Sequence, residues 1–236
     1  MMQSTINAPN VKLIIRAVAT ILHSNITDDM LEGKIIPITS DLYYFSEDKY
    51  INENPDAYSE ERISLLRKPP TQDDIASFIE AIYDLAQFSA ECCVICLVYI
   101  NRINSITELP ILPVNWRPLT IISLMIAQKA WDDKYLSNAD FSCIYQFFDT
   151  QQYNMLEMKF LDIIQYNTFV KFSLYTKYYL ELKSLVPEDF PLKPMDVYTM
   201  GKLEKQTDTF GKTQKIISQT SKDSKDSGKS STFIIS

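Results

Sequence analysis

The stretch that decides the fold is Trp116-Arg117-Pro118-Leu119-Thr120-Ile121-Ile122-Ser123-Leu124-Met125-Ile126-Ala127-Gln128-Lys129-Ala130-Trp131. It reads as a helix, with Asn115 ahead of it as the capping residue. Ile121, Ile122, Leu124, Met125, Ile126 and Ala127 leave almost no polar face before Gln128 and Lys129. A helix that is apolar all round is a buried one. This segment is therefore expected at the centre of a bundle, with other helices packed around it.

Working outward, two helices are expected before it. Pro69-Pro70-Thr71 ends an irregular stretch, and Thr71 is a natural N-cap with Asp73 and Asp74 in the first turn. The helix runs from about Gln72 to Phe88 and buries Ile75, Phe78, Ile79, Ile82, Leu85 and Ala86. Ser89 is placed to cap the next, from Ala90 to about Ile106. Downstream, periodicity predicts helices over 138–148, 150–166 and 173–185. An additional helix is expected over 10–24, and 25–68 reads as an irregular connector anchored by Leu42, Tyr43, Tyr44 and Phe45. The fold class is all-α, with short loops.

Glycine supports this. The 236 residues contain four, none between Lys34 and Met200. Tight hairpins favour residues with positive φ, whereas helices penalise glycine. The same absence removes the Gly-rich phosphate cradles of nucleotide enzymes. His23 is the only histidine, so a histidine-based catalytic constellation has little to build on. No catalytic residue and no cofactor is expected. Cys92, Cys93, Cys96 and Cys143 lack convincing zinc spacing, and the first three read as small apolar residues of a buried helix in a reducing compartment; no metal site is expected.

The net charge of −7, without a basic stripe, argues against nucleic-acid binding. No apolar run is long enough for a membrane span. The first residues lack the pattern of a signal peptide and a glycine for N-terminal acylation, which leaves a cytoplasmic or nuclear address. Residues 202–236 hold seven lysines, four acids and twelve serines or threonines. That composition predicts a disordered tail carrying about +3, with Ser221, Ser224, Ser227, Ser230 and Ser231 as possible phosphate acceptors. The expected organisation is an N-terminal helix and connector (1–68), a helical core (69–186), and a short extension with a disordered tail (187–236).

Specific residues go further than pattern. Gln87-Phe88-Ser89-Ala90-Glu91-Cys92, Leu97-Val98-Tyr99-Ile100-Asn101-Arg102 and Leu112-Pro113-Val114-Asn115-Trp116-Arg117 come first. Ala127-Gln128-Lys129-Ala130-Trp131-Asp132-Asp133 and Asn138-Ala139-Asp140-Phe141 follow. Asn154-Met155-Leu156-Glu157-Met158-Lys159-Phe160-Leu161, Gln165-Tyr166-Asn167 and Tyr175-Thr176-Lys177-Tyr178-Tyr179 close the series. Together they resemble cyclin Y, within the group similar to yeast Pho80-type cyclins. The resemblance covers about Pro69 to Val186, and weakly Ala8 to Lys12.

The resemblance implies a five-helix cyclin box around a buried third helix. It implies a non-catalytic subunit that binds and activates a cyclin-dependent protein kinase of PFTAIRE, PCTAIRE or Pho85-like type. Lys129 and Glu157 match the lysine on the third helix and glutamate on the fifth that meet the kinase; Ile126 and Tyr166 are further kinase-binding positions. A scaffold that binds without activating is the competing reading. A phosphoserine-reading adaptor is a second partner implied by the family, although no flanking pattern here matches it. Two features depart: Ile75-Ala76-Ser77-Phe78-Ile79-Glu80-Ala81 lacks the arginine of the substrate-docking patch of cell-cycle cyclins, and Asn101 stands where an aspartate is expected.

Overall fold

A computed structural model describes residues 10–186 and, in the tail, residues 201, 205, 208–216 and 219. Among the described residues nine α-helices precede the tail: α1 (Val11–Leu31), α2 (Glu47–Glu53), α3 (Glu60–Arg67), α4 (Gln72–Ala86), α5 (Glu91–Thr107), α6 (Trp116–Trp131), α7 (Asn138–Ile144), α8 (Thr150–Ile163) and α9 (Phe172–Ser184). Among the described residues there is no strand. The all-α expectation, with the Trp116–Trp131 helix at its centre, is what the chain adopts. Helix α6 packs most extensively on α5, also meets α8, and buries 14 of its 16 residues. Only Arg117 and Lys129, near its two ends, are not buried.

Local chemistry sets the boundaries. Thr71 and Asp74 form a reciprocal capping box at the start of α4, with Thr71 Oγ1 accepting from the Asp74 N–H at 3.1 Å. Two expected caps act differently. The Asn115 side chain closes the preceding loop: its Oδ1 accepts from Leu112 N–H at 2.6 Å and its Nδ2 donates to Pro110 O at 2.8 Å. Ser89 offers its carbonyl to Cys92 N–H, while its own N–H donates to Asp132 Oδ2 at 3.0 Å. The Asn115 side chain thus satisfies backbone groups of the loop, whereas the Ser89 hydroxyl meets Cys92 Sγ at 3.4 Å.

Several expected boundaries are corrected. Helix α1 continues past Ser24 to Leu31 because Ile26 and Asp29 turn inward. Asp29 Oδ2 accepts from Ile111 N–H at 2.7 Å and Oδ1 from Lys34 Nζ at 2.7 Å, which ties the end of α1 to the α5–α6 loop. Helix α7 stops at Ile144, where Tyr145 turns extended and Phe147 and Phe148 enter an aromatic cluster with Tyr50. Helix α8 stops at Ile163, and Gln165 and Tyr166 both take positive φ, 54° and 56°.

The connector is more regular than expected. It contains α2, α3 and short 3-10 turns at Asp41–Phe45 and Pro55–Ala57. Such short helices are unstable alone and form because they pack, so periodicity does not announce them. Phe45 is fully buried against Phe160, with ring centroids 6.1 Å apart. The tail expectation is corrected in part. Residues 208–216 are helical, Phe210 packs on the core and Gly211 is buried. Ser221, Ser224, Ser227, Ser230 and Ser231 lie outside the described residues, as do 1–9.

A buried carboxylate fastens the connector. Glu47 is fully buried; two donors converge on its carboxylate, and its own N–H is bonded as well. Tyr145 Oη donates to Oε1 at 2.5 Å and Arg117 donates to Oε2 at 3.3 Å, while Glu47 N–H donates to Val114 O at 2.7 Å. Burial outweighs Arg117 and raises the Glu47 pKa from its ordinary 4.5 to about 7. Between those two values the folded chain holds the proton that the unfolded chain has released. This group's contribution therefore falls as pH rises through that window, by about 3 kcal/mol in all. Thermal melts from pH 4.5 to 8 should show that decline in the parent chain and a flatter profile in Glu47→Gln; equal slopes would contradict the assignment.

Candidate functional site

Helix α6 has one cation in its last turn, Lys129, and the fold brings a carboxylate to it from α8. Lys129 Nζ lies 2.8 Å from Glu157 Oε1, with side chains 9% and 12% exposed. The ammonium also donates to Asn138 Oδ1 at 2.5 Å. Asn138 is the first residue of α7, whose start is fixed by a Ser137–Asp140 capping box. Its amide donates to Glu157 Oε2 at 2.8 Å and to Asn154 Oδ1 at 2.6 Å. Three helices thus meet in one polar node over an apolar base.

The node has unspent hydrogen-bonding capacity. An ammonium has three N–H donors, and Lys129 uses two here. Each Glu157 oxygen accepts one bond and retains lone-pair capacity. Asn154, three residues before Glu157 and exposed, contributes its own amide donors. The two charges cancel, which lowers the cost of covering them, while the remaining donors and acceptors suit the carbonyls and amides of another chain.

The sequence-based candidates separate on this geometry. Lys129 and Glu157 are brought together. Ile126 is 0% exposed and packed in the core, so it offers no surface to a partner; a fully apolar helix places its i−3 neighbour inside as well. Tyr166 is half-buried just beyond α8, in left-handed backbone, with its N–H donating to Leu161 O at 2.7 Å. Asn138, Asn154 and Met158 were not anticipated. Met158, 48% exposed, lies one turn beyond Asn154 on the same α8 face. The i, i+3 spacing of Asn154 and Glu157 is the one signal the sequence holds.

The cysteines do not gather. Cys92, Cys93 and Cys96 are buried in α5, whereas Cys143 is exposed on α7. Burial pushes the Cys93 thiol up to about 12 and those of Cys92 and Cys96 well above their ordinary value. Among the described residues no group of three or more His, Cys, Asp or Glu is placed to hold a metal ion. Nor is any described helix long and apolar enough to cross a membrane.

Compared with protein-family models, the sequence matches Cyclin over residues 28–168, more than half of the chain. The chain belongs to the cyclin family. In this cyclin the matched region begins near the end of α1, takes in α2 and α3, and ends just past α8. Lys129, Asn138, Asn154, Glu157 and Tyr166 all fall inside it. Cyclins are regulatory proteins that generally act by binding a protein kinase.

The node also makes a stability prediction for this cyclin. Lys129→Ala leaves Glu157 partly buried without its cation, and Glu157→Ala leaves the converse. Each single variant should lose about 1–3 kcal/mol by denaturant titration, and the double variant should lose less than their sum. Strict additivity would mean the pair is not coupled.

Proposed function

We propose that this cyclin is the activating subunit of a cyclin-dependent serine/threonine kinase, and that the Lys129–Glu157 node is its principal kinase contact. The observation that carries the reading is the braced ion pair at 2.8 Å, with hydrogen-bonding capacity left over, at the surface where α6, α7 and α8 meet. The cyclin Y-like residues between Pro69 and Val186 favour a kinase of the PFTAIRE, PCTAIRE or Pho85-like kind. Phosphoryl transfer belongs wholly to that kinase. The cyclin acts by differential affinity: it binds better to the kinase conformation whose regulatory helix and activation loop are in place, and so populates it.

The physics of the surface suits that task. Lys129 and Glu157 are held by Asn138 before any partner arrives, so little ordering cost falls on binding. Met158 offers an adaptable apolar contact beside them. Tyr166 extends the surface past the end of α8. With no basic stripe and a net charge of −7, the partner is a protein and not a nucleic acid. The proposed address is the cytoplasm or nucleus, where such kinases work.

The test is a kinase assay with the purified pair. Lys129→Ala combined with Glu157→Ala should lower kinase affinity by at least about tenfold and remove stimulation, while circular dichroism retains the helical signal. Full stimulation by the folded double variant would overturn the interface. Binding by the parent chain without any stimulation would make the protein a scaffold.

A further inference from the structure

The tail makes a close contact with the loop that follows α8. Residues 208–216 are helical, and Gly211 is buried against the loop that follows α8. A Cβ at position 211 would lie 2.5 Å from the Tyr166 carbonyl oxygen and 2.7 Å from Thr168 Oγ1. Both distances are far inside van der Waals contact, and the nearer atom is backbone that cannot swing away. Only glycine lets the helix sit this close. Phe210, its neighbour, packs against the core.

The seat is built independently of the helix. Tyr99 Oη donates to Thr168 O at 2.9 Å, and Arg102 donates to Phe169 O at 3.2 Å and also to Asn167 O. These bonds come from α5 and hold the loop from beneath. The stretch 208–216, by contrast, holds Gly211 and two threonines, weak helix formers, and Gly211 is its only buried residue. Its Asp208–Lys212 pair, at 2.5 Å, is exposed and adds little to its stability. Its order therefore depends on docking, and undocking melts it without disturbing the loop.

We infer that the 208–216 helix is a displaceable cover on the end of α8, and that its docking and kinase engagement at Tyr166 exclude each other. This rests on the proposed kinase-binding role. A helix is about 10 Å across with its side chains. Seated on the Tyr166 carbonyl, it occupies the approach to that residue, so a partner that uses Tyr166 must first release it. The apparent affinity for the kinase is then reduced by the fraction of chains in which the cover is docked.

The experiment uses the full chain, a purified PFTAIRE-type kinase, and hydrogen exchange alongside affinity measurement. In the parent chain, saturating kinase should speed amide exchange across 208–216; unchanged or slower exchange there overturns the inference. Gly211→Val should speed the same amides without kinase and raise kinase affinity about 3- to 30-fold. Unchanged or weaker affinity, or a helix that stays protected, likewise overturns it. Should that variant fail to fold, the parent-chain exchange measurement decides alone. If the parent binds and Gly211→Val merely matches it, the cover is wrong and the kinase reading stands. If neither chain binds any kinase of this class, both fall together.

Discussion

The constraint on which the structure depends is that α6 has almost no face for water. Fourteen of its sixteen residues are buried, so neighbours must close around it on every side. Helix α5 covers one flank with Cys92, Cys93, Cys96 and a run of aliphatic residues. Helix α8 covers another, and the turns at the ends of α4 and α7 complete the enclosure. Even the polar residues of α6 serve this packing. Gln128 donates to Ala86 O at 3.0 Å and accepts from Leu136 N–H at 3.2 Å, satisfying backbone where α4 ends and where α7 is about to begin.

The two positions of α6 that escape burial are both cations, and each is held by a carboxylate from a different part of the chain. Arg117 pairs with Glu47 from the connector, and Lys129 pairs with Glu157 from α8. The environments differ. Glu47 is fully enclosed beneath Tyr145, where burial dominates and the carboxyl is pushed up to about 7. Glu157 remains at the surface with Asn138 and Asn154 around it. The difference lies in the carboxylates: Glu47 is 0% exposed and Glu157 12%, whereas Lys129, at 9%, is less open than Arg117, at 17%. A buried pair is weak evidence of net stabilisation, whereas donors and acceptors left over in a partly exposed one are the feature on which the proposed kinase contact rests.

What was legible in the sequence follows from this. Helices α4, α5, α6, α8 and α9 bury long periodic or wholly apolar runs, so their presence could be read directly. The partnership of Lys129 with Glu157 came from family resemblance; spacing alone cannot pair residues on two helices. Asn138 was not legible because its role arises from a meeting of α6, α7 and α8 that no single segment encodes. Glu47 was hidden for the same reason: in sequence it sits in an acidic connector, and only the fold places Arg117 and Tyr145 against it. Asn115 and Ser89 show a subtler limit. Both have the chemistry of capping residues, yet the Asn115 side chain bonds the preceding loop and the Ser89 hydroxyl meets Cys92 Sγ.

The end of α8 joins these observations. Two consecutive residues without the glycine exemption, Gln165 and Tyr166, hold positive φ there, a conformation that costs about a kcal/mol or more each. Such a turn persists only if its surroundings impose it. Tyr99 and Arg102 do so from α5, gripping the three carbonyls that follow. The turned-out carbonyl of Tyr166 then becomes the surface against which Gly211 fits. A rigid, strained loop is a better seat for a helix than a flexible one, because docking has nothing to order except the helix itself. That places the adjustable element in the tail and the fixed one in the box, which is the arrangement a surface needs if it is to be offered to more than one occupant in turn.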